Sequence, residues 1–153
     1  MMLQTRIPPP IYALVAGFGM WLLDAYLPLW VGLSSPWNRL GLVVILIAGL
    51  ADLWSLGLFF RARTTPNPMQ PQRSSSLVTE GLYRYTRNPM YVGMLLMLFG
   101  WGIYLGSLSP LLVLPLFVWV INHQQIFPEE AVLSEKFGDR YQRYRQSVPR
   151  WLW

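Results

Sequence analysis

The chain has 153 residues, 54% of them hydrophobic and 12% charged, with a formal net charge of +5, no cysteine and a single histidine, His123. A soluble domain carries about 25% charged residues, so this deficit excludes an ordinary soluble domain and points to a membrane protein. Without cysteine there is no disulfide, thiolate metal site or cysteine nucleophile, and one histidine excludes a His-rich metal centre.

Four apolar segments follow along the chain. The first covers about Ile11–Leu29 after the Pro8-Pro9-Pro10 breaker; it lacks a small-residue cleavage site and reads as a retained helix. The second covers about Leu40–Phe60, the third Pro89–Leu105, and the fourth Leu111–Phe127, beyond the turn Gly106–Pro110. About 20 residues rising 1.5 Å each cross a bilayer core of ~30 Å. The pattern therefore predicts an all-α integral membrane protein with about four transmembrane helices, as one domain over residues 1–153. Asp24 and Asp52 fall inside the first two spans. A carboxylate there costs at least ~2.5 kcal/mol at the bilayer centre, so each is expected to be protonated or hydrogen-bonded to a Ser, Trp or Tyr of a neighbouring helix.

Basic residues orient these spans. Only Arg39 lies between the first and second. Arg6 precedes the first, Arg61, Arg63, Arg73, Arg84 and Arg87 lie between the second and third, and Lys136, Arg140, Arg143, Arg145 and Arg150 follow the fourth. By the positive-inside rule that richer side is cytoplasmic and holds both termini. The loop Arg61–Asn88 and the tail after Phe127 then share one face, where polar chemistry is expected. Within the loop, Thr64–Ser76 is rich in proline and serine and reads as an extended connector. In the tail, Leu133, Phe137, Tyr141, Tyr144 and Val148 recur at spacings of four, four, three and four. They form one face of a cytoplasmic C-terminal amphipathic helix whose basic sides suit anionic lipid. Gly138 marks a place for a break or a close approach in that helix.

Two constellations carry chemistry. Gly81–Gly93 sets Tyr83, Arg84, Tyr85, Arg87, Asn88, Pro89 and Tyr91 against the third span. Asn at a cap and Pro in the first turn start a helix, while the arginines and tyrosines anchor at the headgroup level. The same helix start, with its exposed N–H groups beside a guanidinium, can hold a carboxylate or phosphate. Pro128-Glu129-Glu130 suits a helix N-terminus, and two carboxylates facing an arginine-rich loop also suit an ammonium group. His123 lies on the cytoplasmic half of the fourth span, either as a hydrogen-bonded packing residue or as a titrating group. No phosphate-binding Gly-rich loop, nucleophile elbow or metal-ligand spacing occurs, and no metal or nucleic-acid partner is expected.

Taken in order, Leu77-Val-Thr-Glu-Gly-Leu-Tyr83, Arg87-Asn-Pro-Met-Tyr-Val-Gly93, Glu129-Glu-Ala-Val-Leu133, Phe137-Gly138, Tyr141, Tyr144 and Val148-Pro149-Arg150 resemble the isoprenylcysteine carboxyl methyltransferase family and its small bacterial relatives. The likeness covers about residues 64–151, and the first two spans match only in general character. It implies an integral membrane methyltransferase using S-adenosylmethionine at the cytoplasmic face. In that family the cofactor is lined by the stretch before the tyrosine, the tyrosine itself, an arginine–histidine–proline–any–tyrosine motif and paired glutamates. Carried over, the cofactor-binding residues are Ser75, Ser76, Leu77, Val78, Tyr83, Asn88, Pro89, Met90, Tyr91 and Glu129. Arg87 and Glu130 beside them, with His123, are the candidate catalytic residues. A glutamate suits the cofactor's ammonium, Arg87 or backbone N–H groups its carboxylate, and tyrosine faces its sulfonium.

There are two departures. The family histidine is Asn88 here, and Gln125 stands where prenylcysteine enzymes place an arginine that reads the substrate carboxylate. The acceptor is expected to be a lipophilic small molecule or lipid carrying a thiol, amine or carboxylate, with the carboxylate made less favourable by Gln125. Two other readings are an NADPH-dependent membrane reductase of the sterol reductase type and a non-catalytic membrane module whose tail docks on lipid or a partner. The reductase normally needs more spans and a larger nucleotide pocket.

Overall fold

The computed structural model of the protein describes residues 7–64, 73 and 75–153. Arg6 and most of the proline-serine connector lie outside them. Among the described residues the regular structure is all helical, apart from one isolated bridge between Val31 and Ser107, with irregular turns joining the helices.

Helix α1, Pro9–Tyr26, begins within the prolines rather than after them. Proline lacks only an N–H that the first turn leaves unpaired, and its fixed φ suits that turn. The helix stops before the expected Leu29 because Pro28 disfavours helical backbone at Leu27, which sits at φ −143°. A short turn, Trp37–Arg39, leads into α2, Leu40–Arg61. Helix α3 runs Pro89–Leu105, as the sequence predicts, and ends on Gly106 at φ 94°, where a side chain would be strained.

The fourth apolar segment departs from expectation. After the turn Ser109–Leu112 come α4, Val113–Ile121, a single π turn, Asn122–Ile126, and α5, Phe127–Phe137, on one uninterrupted helical path. Pro128 therefore does not open a new helix. The π turn, in which the Phe127 N–H reaches back to the Asn122 carbonyl, widens the helix where Pro128 offers no N–H of its own. The tail is two helices rather than one: Gly138, at φ 50° and ψ −127°, separates α5 from α6, Asp139–Ser147.

Helices α2 and α3 lie antiparallel and very close. A Cβ at Gly41 would run into the Gly100 carbonyl, and one at Gly93 would run into the Asp52 carboxylate. Helix α1 is tied to α3 where Trp101 Nε1 donates to the Gly17 carbonyl at 3.0 Å. Met20, Leu98, Phe117, Ile121, Ile126 and Trp151 lie at the centre of the core. At the far end from the tail, Asp24 accepts a hydrogen bond from Ser107 Oγ, so its expected partner is a serine.

Two stretches, Trp37–Arg61 and Ser109–Phe137, are long and apolar enough to cross a membrane. Helix α3 is apolar but shorter, and α1 is not among the candidates by that measure. Large apolar side chains are exposed on several helices, among them Leu14 at 73%, Leu46 at 62%, Leu53 at 66% and Trp119 at 58%. An apolar surface of this extent calls for a nonaqueous neighbour.

Candidate functional site

The start of α3, the start of α5, helix α6 and the last residues of the chain converge at one end of the molecule. Gly81, at φ 59°, turns the chain into the short helix Gly81–Arg84, and a Cβ there would press on Leu58 of α2. The turn buries Tyr83, whose ring meets Phe59 edge-on at 5.5 Å and whose carbonyl accepts from Tyr144 Oη at 2.7 Å.

Beyond it, Thr86, Arg87 and Asn88 grip the C-terminal segment. Thr86 Oγ1 and Asn88 Nδ2 both donate to the Arg150 carbonyl, at 3.0 and 2.9 Å. The Arg87 N–H donates to the Pro149 carbonyl at 2.9 Å and its Nε to the Val148 carbonyl at 3.0 Å. Asn88 thus stands at the cap position of α3, but its side chain holds the tail instead of capping the helix. Trp151 is buried and donates Nε1 to Asn122 Oδ1 at 3.0 Å, fastening the same segment to the π turn.

Glu130 is the charge centre of this clasp. Arg87 Nη1 donates to its Oε1 at 2.7 Å, and Arg150 meets it in a forked pair, Nε to Oε1 at 2.9 Å and Nη2 to Oε2 at 2.8 Å. The side chains of Arg87 and Glu130 are only 8% and 9% exposed, and that of Arg150 30%. Its hydrogen bonds to Glu130 hold the Arg150 guanidinium more firmly protonated than usual. Burial, followed by the charge of Glu130, pushes the Tyr141 hydroxyl up, while Arg87 at 3.4 Å opposes it.

Glu129, the next residue back, is treated differently. Its Oε1 accepts from Tyr91 Oη at 2.5 Å, and among the described residues no ion pair forms there. Tyr83 belongs to this second pole. Burial, then the charges of Tyr144, Glu129 and Asp52, push its hydroxyl well above the usual range, so it stays a neutral donor.

The residues singled out from the sequence fall into four places. Tyr83, Tyr91 and Glu129 form the uncompensated pole, while Arg87, Asn88 and Glu130 form the clasp, with Pro89 buried and Met90 half-buried at the start of α3. Ser75 and Ser76 donate their hydroxyls to the Arg63 and Ala62 carbonyls, closing the end of α2, and Leu77 and Val78 follow half-buried. His123 is exposed, its Nδ1 at 2.8 Å from the Trp119 carbonyl and its ring between Trp119 and Phe127; the structure does not bring it to either pole. Gln125 is fully buried and donates Nε2 to the Ile7 carbonyl at 2.8 Å, tying down the start of α1.

Sequence reasoning left Arg150, Trp151, Thr86 and Asp52 out of the site. The run Val148-Pro149-Arg150 was a signal for the first, because Pro149 ends α6 and turns the chain back. Asp52 was marked only as a carboxylate within an apolar span, and Thr86 carried no signal.

Residues 37–140 match the profile of a family described as phospholipid methyltransferase. A protein-S-isoprenylcysteine O-methyltransferase of Schizosaccharomyces pombe is 42% identical over 73 residues, covering 48% of this chain and 31% of the relative. Protein-S-isoprenylcysteine O-methyltransferase B of Arabidopsis thaliana is 28% identical over 120 residues, 77% of this chain and 61% of the relative. An uncharacterised protein of Haemophilus influenzae is 48% identical over 63 residues, which is 41% of this chain and all of that protein. The chain thus spans 31% and 61% of the length of these two relatives that carry the methyltransferase name. No solved structure matches it significantly. With the matched region running from the turn before α2 through Arg87, Glu129 and Glu130 to the start of α6, the chain belongs to the phospholipid methyltransferase family.

Proposed function

We propose that the protein is an integral membrane methyltransferase that takes its methyl group from S-adenosylmethionine and passes it to a lipophilic small molecule or lipid. The observation that carries this reading is the unequal treatment of the two glutamates. Glu130 is neutralised by two guanidinium groups, whereas Glu129 has only a tyrosine hydroxyl. A carboxylate left without a cation beside a buried tyrosine pair suits the ammonium of an amino-acid ligand. The residues therefore fit that end of the cofactor. Arg87, the expected partner of its carboxylate, is occupied by Glu130 and the Val148 carbonyl, so its part is to position the start of α3.

When bound, S-adenosylmethionine supplies a sulfonium-activated methyl group open to in-line attack. Glu129 and Tyr91 bind and orient, Tyr83 walls the site with a neutral ring, and the clasp keeps α3, α5 and the tail in fixed register. For a displacement of this kind, holding the reacting atoms near contact distance contributes most of the acceleration. The relatives named for isoprenylcysteine support a lipophilic acceptor. The charge distribution and the apolar exposed surface support four spans with both termini in the cytoplasm, and a single unit over residues 1–153 whose cofactor part is residues 64–151.

Equilibrium binding to the detergent-purified full chain tests this. Adenosylmethionine should bind, NADPH should not, and Glu129→Gln should weaken the former. Binding of NADPH alone would make the protein a reductase, and indifference to both in wild type and variant would make it a non-catalytic module.

A further inference from the structure

Asp52 is the one carboxylate of the middle of α2, and its Oδ1 is buried without a hydrogen-bond donor among the described residues. An unsatisfied carboxylate in an apolar layer costs several kcal/mol, so such a group calls for a partner. Its position is specific. The carboxylate lies against the backbone of α3 at Gly93, where any side chain would displace it. Gly93 is one helical turn inside the start of α3, so Asp52 sits about 6 Å below the level of Asn88 and Pro89. Gly93, the residue Asp52 lies against, is two positions beyond Tyr91, the partner of Glu129, on the same helix. Asp52 itself is half-buried, and the next two residues of α2, Leu53 and Trp54, are 66% and 56% exposed, so the helix carries apolar outer surface at this level.

We propose that Asp52 is a binding residue for the acceptor, its carboxylate receiving an ammonium or hydroxyl donor from the head group of a lipophilic molecule that enters along the apolar surface. The assignment rests on the methyltransferase reading above. Depth separates its ligand from the cofactor: Glu129 and Tyr91 stand at the polar end of the site, while Asp52 stands a turn deeper against α3. A second carboxylate at this spot disfavours an acidic head group by like-charge repulsion.

The test uses the full chain in phospholipid nanodiscs. Dicyclohexylcarbodiimide, which modifies carboxyl groups in apolar surroundings, is mapped to residues by mass spectrometry with and without added amphiphile. Asp52 should be labelled, and dodecylamine and dodecanol should each slow that labelling, whereas dodecanoate and adenosylmethionine should not. By equilibrium binding, Asp52→Asn should weaken dodecylamine about ten-fold and leave adenosylmethionine within about two-fold, the loss of one charged hydrogen bond. The proposal is overturned if dodecanoate protects as well as the amine, if adenosylmethionine alone protects, if neither donor protects, or if Asp52→Asn binds dodecylamine like wild type. Should adenosylmethionine fail to bind while dodecylamine still protects Asp52, the methyltransferase reading fails and the donor site stands.

Discussion

Glu129 and Glu130 are neighbours on one helix and end in unlike surroundings. Around Glu130, Arg87 and Arg150 supply three hydrogen bonds of 2.7–2.9 Å, and the last turn of the chain closes over the ion cluster. Around Glu129 the partners are aromatic and neutral. Burying a carboxylate is costly in both places, and only the first is compensated within the protein. The contrast separates a carboxylate that holds the structure together from one that, on the proposed reading, is left for a cation of the ligand. It also gives Arg87 a structural duty, because its guanidinium is occupied by Glu130 and the Val148 carbonyl.

Substitutions can break or sharpen this contrast. The largest expected effect is that of Glu130→Gln, which leaves Arg87 buried without its counter-charge and should destabilise the protein by about 3–5 kcal/mol, read as a lowered thermal midpoint in detergent. Glu129→Gln should do the reverse: stability held or raised, and affinity for adenosylmethionine down about 10- to 100-fold by calorimetry, the worth of a hydrogen-bonded charge. If the two variants behave alike, the division of labour is wrong. Gly138→Ala should cost about 1–2 kcal/mol of stability from backbone strain alone, since no atom lies within 4 Å of the added Cβ, with ligand selectivity unchanged. Arg150→Lys replaces a fork with a point charge on a partly exposed residue and should cost about 1 kcal/mol, with unfolding becoming more sensitive to salt.

Much of this was legible in the sequence, and the limits have physical causes. Helix α3 was placed to the residue because Asn88-Pro89 and Gly106 are local punctuation, acting through their own backbone. Helix α1 begins earlier than the sequence predicts because Pro8-Pro9-Pro10 reads as a breaker, whereas Pro9 and Pro10 form its first turn. In the tail, the four-and-three spacing revealed a face but not what would cover it. Tyr141, Tyr144, Val148 and Trp151 turn toward the protein, an outcome decided by Tyr83 and Arg87, which lie about 60 residues away along the chain. For the same reason the glutamate pair was visible while its division was not. A pair reads as two equal charges until the arginines that discriminate between them are brought in from distant segments. His123 stood out by its type and its place on the cytoplasmic half of the fourth span, and of its two readings the structure shows the hydrogen-bonded one, exposed between Trp119 and Phe127.

The π turn at Asn122–Ile126 has a consequence for how such a site could change over time. A π turn holds one residue more than the α turn it replaces, so losing one residue there would restore α geometry and leave Glu129 and Glu130 facing as they do now. The same loss a few positions later, inside the regular part of α5, would turn every following side chain by about 100°. The widened turn is therefore the one stretch of this helix where chain length and the facing of the two glutamates are uncoupled.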